Sequence, residues 1–593
     1  VQPASSGGGA SGSGSRALRK WGPIAAVVVV AAVVIGVIVA AGGGDDDSSD
    51  TQAPVTTATP GDTSPPDDTG SVDTSPPDTG APGEIPYPLS FSEAEELGIE
   101  VDWGERCDTE LGTLRIKNFF APECYAPFEG DNGGATATGV TADSIKVVWY
   151  QGPDDDPVIN YITDAISVDD TNAQEIETVE TFLELYEQFY EFYGRTIELV
   201  PFEGSGIASD EVSARADAVR IAEDIQPFAV LGGPALTSAF ADELSARGVL
   251  CVSCTPGQPP EWYVERDPYV WGLGIGARQS RQHVTEWIGK QLVGKNAEYA
   301  GDPAFQSQPR TFGLVALESS AESKEINDAF AASLRGVGAE VVEVLPYQLD
   351  PATIQASAAQ VIGKLKAAGV TSVVFVGDPI APRDFTREAT AQEYFPEWII
   401  AAPALVDTTA FARTYDQRQW AHAFGVTHLS ARNAPENRGF YSLYRWFTGG
   451  QEPPAPDTIE VFMPQLALFT AVLQGAGPNL TPETWRDALF AGIPTRSAIS
   501  QPSLSWGDKG IWDEPDYSGV DDATLIWWDP EATGPDEIRR EGTGMYQYVD
   551  GGTRYLPGEW PTEEKLFDPE GAVALYDEAP PGEEPPDYPS PNG

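Results

Sequence analysis

From Val140 onward, short apolar runs alternate with stretches in which apolar residues recur every three or four positions. The first pattern reads as buried strand, the second as amphipathic helix. Ile145-Lys146-Val147-Val148-Trp149-Tyr150 is the first predicted strand. Ile176, Val179, Leu183, Tyr186, Phe189, Tyr190 and Tyr193 then mark a helix with a broad apolar face. The series continues with strand 197–200, helix 212–225, strand 228–231, helix 236–247 and strand 249–253. Gly248 stands where a helix C-terminus takes positive φ. A second series begins after Gly276: helix 283–292, strand 312–317, helix 326–334, strand 341–346, helix 354–368, strand 372–376, helix 384–393 and strand 398–401. Asp350 followed by Pro351 predicts the N-cap and first position of the helix at 354. Strands alternating with helices through short loops predict an α/β fold of two doubly wound parallel-sheet lobes, each covered by helices on both faces. Helices 459–474 and 482–491 stand apart from the second series, as if the chain returns to the first lobe.

Ahead of this lies a run of another kind, Gly22 to Ala41, with no charge. Twenty residues at ~1.5 Å each make a helix of ~30 Å, the thickness of a bilayer's hydrocarbon core. Arg16, Arg19 and Lys20 precede it and Asp45, Asp46 and Asp47 follow, so the positive-inside rule predicts a single-pass anchor with everything beyond it outside. A cleaved signal peptide ending near Val39-Ala40-Ala41 would export the same remainder, but its apolar region is usually only ~7–15 residues. No cysteine follows the run to take a lipid. The predicted organisation is a cytoplasmic tail (1–21), transmembrane anchor (22–41), acidic Pro/Thr-rich stalk (42–99) and disulfide-linked extension (100–139). Lobe 1 (140–275) with return helices 432–492, lobe 2 (276–431) with a C-terminal part 493–575, and a flexible acidic tail (576–593) follow. The stalk holds a near-repeat around Thr63-Ser64-Pro65-Pro66-Asp67 and Thr74-Ser75-Pro76-Pro77-Asp78, with too little apolar surface to repay ordering.

Charge narrows the partners. The formal net charge is −56, and no basic stripe exists to meet phosphate, which argues against nucleic acid. Asp154-Asp155-Asp156 lacks the glycine and distal glutamate of a calcium loop. His283, His422 and His428 are the only histidines and are scattered, so no metal or other cofactor is expected. In an exported chain, Cys107 and Cys124 are the expected disulfide, worth ~3 kcal/mol for a loop of that size. Cys251-Val252-Ser253-Cys254 has the spacing of a redox pair or half a zinc site, with no second Cys/His pair nearby. An extended strand would hold those Cα atoms ~10 Å apart, beyond disulfide reach, whereas Pro256 and Gly257 are able to turn the chain. The spacing alone does not choose.

Ligands of such folds bind outside the carboxyl ends of the strands. The candidates there are Gln151; Gly233, Thr237 and Ser238; Thr255 and Gln258; and, on the second lobe, Glu318, Asp378 and Asp407. Hydroxyls and free N–H groups at the first set suit a carboxylate or carbonyl oxygen, and the acids suit a hydroxyl, amide or amine.

Asp131-Asn132-Gly133-Gly134-Ala135-Thr136 leading to Gly139-Val140-Thr141, Val230-Leu231-Gly232-Gly233 followed by Gly248-Val249-Leu250, and Val373-Val374-Phe375-Val376-Gly377 together resemble the type I periplasmic-binding-protein family, in particular the binding proteins of branched-chain amino acid and amide ABC transporters. The resemblance spans about 135–500. It implies a Venus-flytrap that closes two lobes over a small polar solute, with an ABC permease as partner. It further implies that the loops at Gly232–Ser238 and Thr255–Gln258 hold a ligand carboxylate. The family's acid for an α-ammonium would fall at Pro403-Ala404-Leu405, which is apolar here, with Asp407 displaced. That departure points to an amide, polyol or other neutral-to-anionic solute.

Enzymatic readings find little. Gly272-Leu273-Gly274-Ile275-Gly276-Ala277 fits a loose dinucleotide pattern after a weak apolar run, and neither G-x-S-x-G nor H-E-x-x-H occurs. The rival is a membrane-anchored surface interaction or structural protein that reuses the fold without a ligand.

Overall fold

The structure is a computed structural model, and it describes residues 85–593 except 256, 319–320, 402–403 and 496–497. The predicted tail, the membrane anchor and the stalk up to 84 lie outside the described residues.

The stretch 85–99, expected as stalk, is packed instead. Ser90 and Glu93 form a reciprocal capping box that opens α1 (Phe91–Leu97), and Leu89 and Ala94 are buried with Ala126. The hairpin β1 (Cys107–Asp108) and β2 (Thr113–Leu114) follows, and Cys107 is bonded to Cys124 with Cα atoms 5.8 Å apart.

Lobe 1 is a five-stranded parallel sheet. Its strands are β3 (Ser144–Gln151), β4 (Thr196–Glu203), β5 (Ala229–Leu231), β6 (Leu250–Val252) and β7 (Val270–Trp271), in the order β4-β3-β5-β6-β7. Between β3 and β4 come α2 (Pro157–Ile166) and α3 (Asn172–Phe189). β3 is buried along nearly its whole length, as a central parallel strand must be.

Lobe 2 holds β8 (Phe312–Leu317), β9 (Val341–Tyr347), β10 (Ser372–Val376), β11 (Glu397–Ile400) and β12 (Ala423–Thr427). The chain then returns to the core of lobe 1 with α4 (Gly439–Phe447), α5 (Ile459–Ala476) and α6 (Pro482–Ala491). It makes a hairpin of β13 (Leu504–Gly507) and β14 (Asp516–Val520), then ends on β15 (Thr524–Pro535) and β16 (Glu541–Tyr548). The second sheet runs β9-β8-β10-β11-β12-β15-β16, with β15 and β16 antiparallel at one edge. A wholly parallel sheet was expected here. The last two strands are joined by a short turn, which permits only antiparallel pairing.

Three further expectations change. The hairpin β13–β14, placed by sequence with lobe 2, contributes Leu504, Trp506, Tyr517 and Val520 to the core around lobe 1. The acidic tail is held against lobe 1: Trp446 donates to the Tyr588 carbonyl (2.9 Å), Tyr588 donates to Asp108 (2.7 Å) and Asn592 donates to the Phe447 carbonyl (3.0 Å). Its scattered tyrosines supply the anchoring that its composition hides. Asp350 caps a turn through Ala352 N–H (2.9 Å) and the Thr353 hydroxyl (2.7 Å), and the helix starts only at Ile354, after Thr353. The glycine run at 272–276 follows β7 and leads into the helix that starts at Ala277. It carries the chain from lobe 1 to lobe 2, with Gly272 N–H donating to the Tyr517 carbonyl (2.8 Å).

Candidate functional site

The strand ends of lobe 1 converge where expected, but a helix missed by periodicity stands over them. Asp156 caps α2 by accepting from Val158 N–H (2.8 Å) and Ile159 N–H (3.1 Å), Pro157 takes the first position, and Ser167 at φ +55 ends it. The second oxygen of Asp156 accepts from Ala208 N–H (2.6 Å), which ties the helix to the loop after β4. The apolar side of α2 leaves its own lobe: Ile162 shares one apolar cluster with Tyr347, Leu349, Ile354 and Ile380 of lobe 2. Arg383 Nη2 donates to Tyr161 Oη (2.8 Å), and Arg540 Nη2 donates to the Ser167 carbonyl (2.6 Å). α2 therefore fills space between the facing lobes.

Beneath α2 is a pocket of about 520 Å³. Its walls are Tyr150 and Gln151 at the end of β3, the flanks of α2, Gly232–Ala235 after β5, Ser253 after β6, and Val461, Phe462 and Gln465 of α5. Among the described residues, none of lobe 2 lines it. This volume is in the usual range for small-molecule sites.

Two of its polar side chains are buried without a partner among the described residues. Gln465 and Ser253 are only 6% and 4% exposed, and neither side chain forms a hydrogen bond with another described residue. Gly232, at φ +82, lets the Gln465 amide come close: a Cβ there would sit 3.2 Å from Nε2. Gly233 passes Cys254 so tightly that a Cβ would meet its carbonyl at 2.5 Å. Cys251 and Cys254 themselves stand with Cα atoms 5.8 Å apart and bonded, because Ser253 at φ +59 breaks the extended path. Glu175 also lines the pocket, held by Trp149 Nε1–H (2.6 Å). Burial pushes its carboxyl up to about 7, with the Trp149 and Gln151 hydrogen bonds opposing and the Asp170 and Asp154 charges adding.

Of the sequence candidates, Gln151 and Gly233 line this pocket, and Gln151 already donates to the Asn172 carbonyl (3.0 Å). Thr237, Ser238, Thr255 and Gln258 do not line it. The Thr237 hydroxyl accepts from Ala239 N–H (3.1 Å), and Ser238 precedes the helix Ala239–Ala246 without capping it by its side chain. Glu318, Asp378 and Asp407 belong to lobe 2 and are likewise absent from the pocket. Asp378 is fully buried and accepts from Tyr347 Oη (2.6 Å), Ile380 N–H and Ala381 N–H (2.8 Å each), an internal structural role. Asp407 is buried against the Thr427 hydroxyl, and burial pushes its carboxyl up to about 7. Asp378 stabilises its own loop, while α2 packs against lobe 2 through Ile162. Gln465 was missed although it is the one polar residue between Phe462 and Phe469, a signal legible in Met463-Pro464-Gln465-Leu466-Ala467-Leu468.

α5 is long and apolar enough to cross a membrane, yet it is mostly buried inside lobe 1. Among the described residues, no group of three or more His, Cys, Asp or Glu side chains is placed to hold a metal ion.

Residues 169–509 match the family model described as periplasmic binding protein, a match that begins just beyond α2. Among solved structures, the chain is similar to a leucine-, isoleucine-, valine-, threonine- and alanine-binding protein from Brucella ovis in a closed conformation. That pair shares 13% identity at a TM-score of 0.48, covering 73% of this chain and 100% of that one. It is also similar to an ABC-transporter solute-binding protein from R. palustris in complex with 4-hydroxybenzoate (14% identity, TM-score 0.47, 68% and 97% covered). A third is a branched-chain amino acid transporter substrate-binding protein from Streptococcus pneumoniae in complex with isoleucine (13%, 0.45, 68% and 100%). No curated protein matches the sequence.

Proposed function

Because this chain belongs to the periplasmic binding protein family, we propose that it captures a small polar solute outside the cytoplasm, in the pocket beneath α2, for an ABC-type importer or a sensor. The apolar segment 22–41 would hold it to the membrane as a single-pass anchor. The observation that carries the reading is the pair of buried polar side chains, Gln465 and Ser253, that face the pocket without a protein partner. Both line the pocket, so their polar atoms are available to a bound molecule rather than to the protein.

A second reading keeps one observation on its side. α2 buries Ile162 and packs Tyr161 against lobe 2, as a permanently closed interaction or structural protein would require. A thermal-shift screen of metabolites on the full-length chain separates the two. A true ligand at 100 times its Kd adds about 2.7 kcal/mol of stability, and Gln465→Leu should diminish that gain. If no metabolite shifts melting, solute capture is wrong and the structural reading stands.

A further inference from the structure

We infer that the pocket beneath α2 takes a small organic cation, a solute bearing an ammonium or guanidinium group; this rests on the solute-binding reading and names its ligand class. The pocket is lined by Asp154, Asp156, Asp164, Asp169, Asp170 and Glu175, and by no Lys, Arg or His among the described residues.

These carboxylates are not equally available. Asp156 is used in capping α2 and holding Ala208. One oxygen of Asp170 takes Asp457 N–H, Thr458 N–H and the Thr458 hydroxyl, each at 2.8 Å. Asp154 accepts from Asn172 N–H (3.2 Å). Asp164 and Asp169 have no side-chain hydrogen bond or ion pair with any described residue, and Glu175, held by Trp149 and Gln151, lines the wall beside them. Arg539 and Arg540 both engage Asp457, which is not among the lining residues, and Arg383 engages Tyr161 and Asp384.

An anionic solute would have to shed water against like charges, which is costly at a partly buried site. A cation gains from each of them. The acids are too dispersed to close around a bare metal ion, so the positive charge belongs on an organic skeleton. Gln465 and Ser253, buried and unpartnered, would then read its neutral polar groups. This reverses the neutral-to-anionic expectation drawn from the apolar Ala404: the acids come from α2 and the segments flanking it, and three of them, Asp154, Asp156 and Asp164, lie before the stretch that matches the family model.

Isothermal titration of the full-length chain with 1,4-diaminobutane, agmatine and choline, set against 1,4-butanediol and succinate, tests the class. At least one cation should bind, with the diol and the diacid weaker by roughly tenfold or more. Glu175→Gln keeps the acceptor for Trp149, and Asp164→Asn changes an exposed side chain with no partner, so both variants should fold. Each should weaken cation binding by about three- to tenfold without shifting the melting temperature of the free protein at pH 7 by more than a few degrees. Tighter binding of butanediol or succinate, sensitive to Gln465→Leu, overturns the cation class and leaves solute capture intact. Binding of none of the three cations overturns the inference, and a silent metabolite screen as well would remove solute capture with it.

Discussion

Arg383 of lobe 2 donates a 2.8 Å hydrogen bond to the Tyr161 hydroxyl of α2, a helix that lobe 1 carries, and its guanidinium carbon stands 5.6 Å from the same ring's centre. Side by side with the buried Ile162, this contact makes α2 a wedge shared by both lobes. The two lobes are therefore coupled through one ten-residue helix.

Removing only the hydroxyl tests that coupling. Tyr161→Phe should cost about 1 kcal/mol of stability and leave the ring packed. Hydrogen exchange should quicken across α2 while β3 and β10 stay protected. Uniform loss of protection across both sheets would show that α2 is not an independent latch.

Ile162→Ala should be more costly, about 2–4 kcal/mol, since a buried aliphatic side chain is cut back in a packed cluster. Denaturant unfolding followed by tryptophan fluorescence measures it. A change below about 1 kcal/mol would mean that α2 collapses onto lobe 2 without cost.

Glu175 predicts the pH dependence. Its folded carboxyl is raised to about 7, above its ordinary range, so the folded chain binds more protons than the unfolded chain between those values. Stability from this group is thus greatest in mild acid and falls as pH rises through about 7. Melting curves from pH 5 to 8 should show a decline that Glu175→Gln flattens. For a cationic ligand the sign is opposite: binding favours the ionised carboxylate, so affinity should rise over the same interval. A pH-independent affinity in the native chain would contradict the role given to Glu175.

The extension offers a covalent check. Cys107 and Cys124, 17 positions apart, should appear as one cross-linked peptide pair in a non-reducing map, and Cys107→Ser with Cys124→Ser should cost about 3 kcal/mol in the loop-entropy account.

A last contrast separates the two placements of the site. Ser238→Ala should leave solute affinity unchanged, because Ser238 stands off the pocket wall, whereas Gln465→Leu should weaken it by about 1–3 kcal/mol. Titration calorimetry on both variants decides between them.

The alternation of strand and helix was written along the chain because each element carries its own period. β8 and β10 begin and end where their apolar runs do, and Gly248 takes φ +71 at the end of its helix as predicted. Local signals also marked the strand ends as the place for a site, and Gln151 and Gly233 do line it. Short strands such as β7, two residues long, had no period to read.

What only the tertiary structure decided was which strand ends face a common space. α2 has Pro157 and a capped start, but its apolar residues serve a neighbouring lobe whose position no local pattern encodes. Gln465 and Ser253 lie more than 200 positions apart and meet because α5 returns to lobe 1 after the chain has built most of lobe 2. Periodicity records how a segment meets its nearest surface. The company a side chain keeps across lobes is set by long-range packing, as Ile162 of α2 buried with Tyr347 and Ile380 of lobe 2 shows.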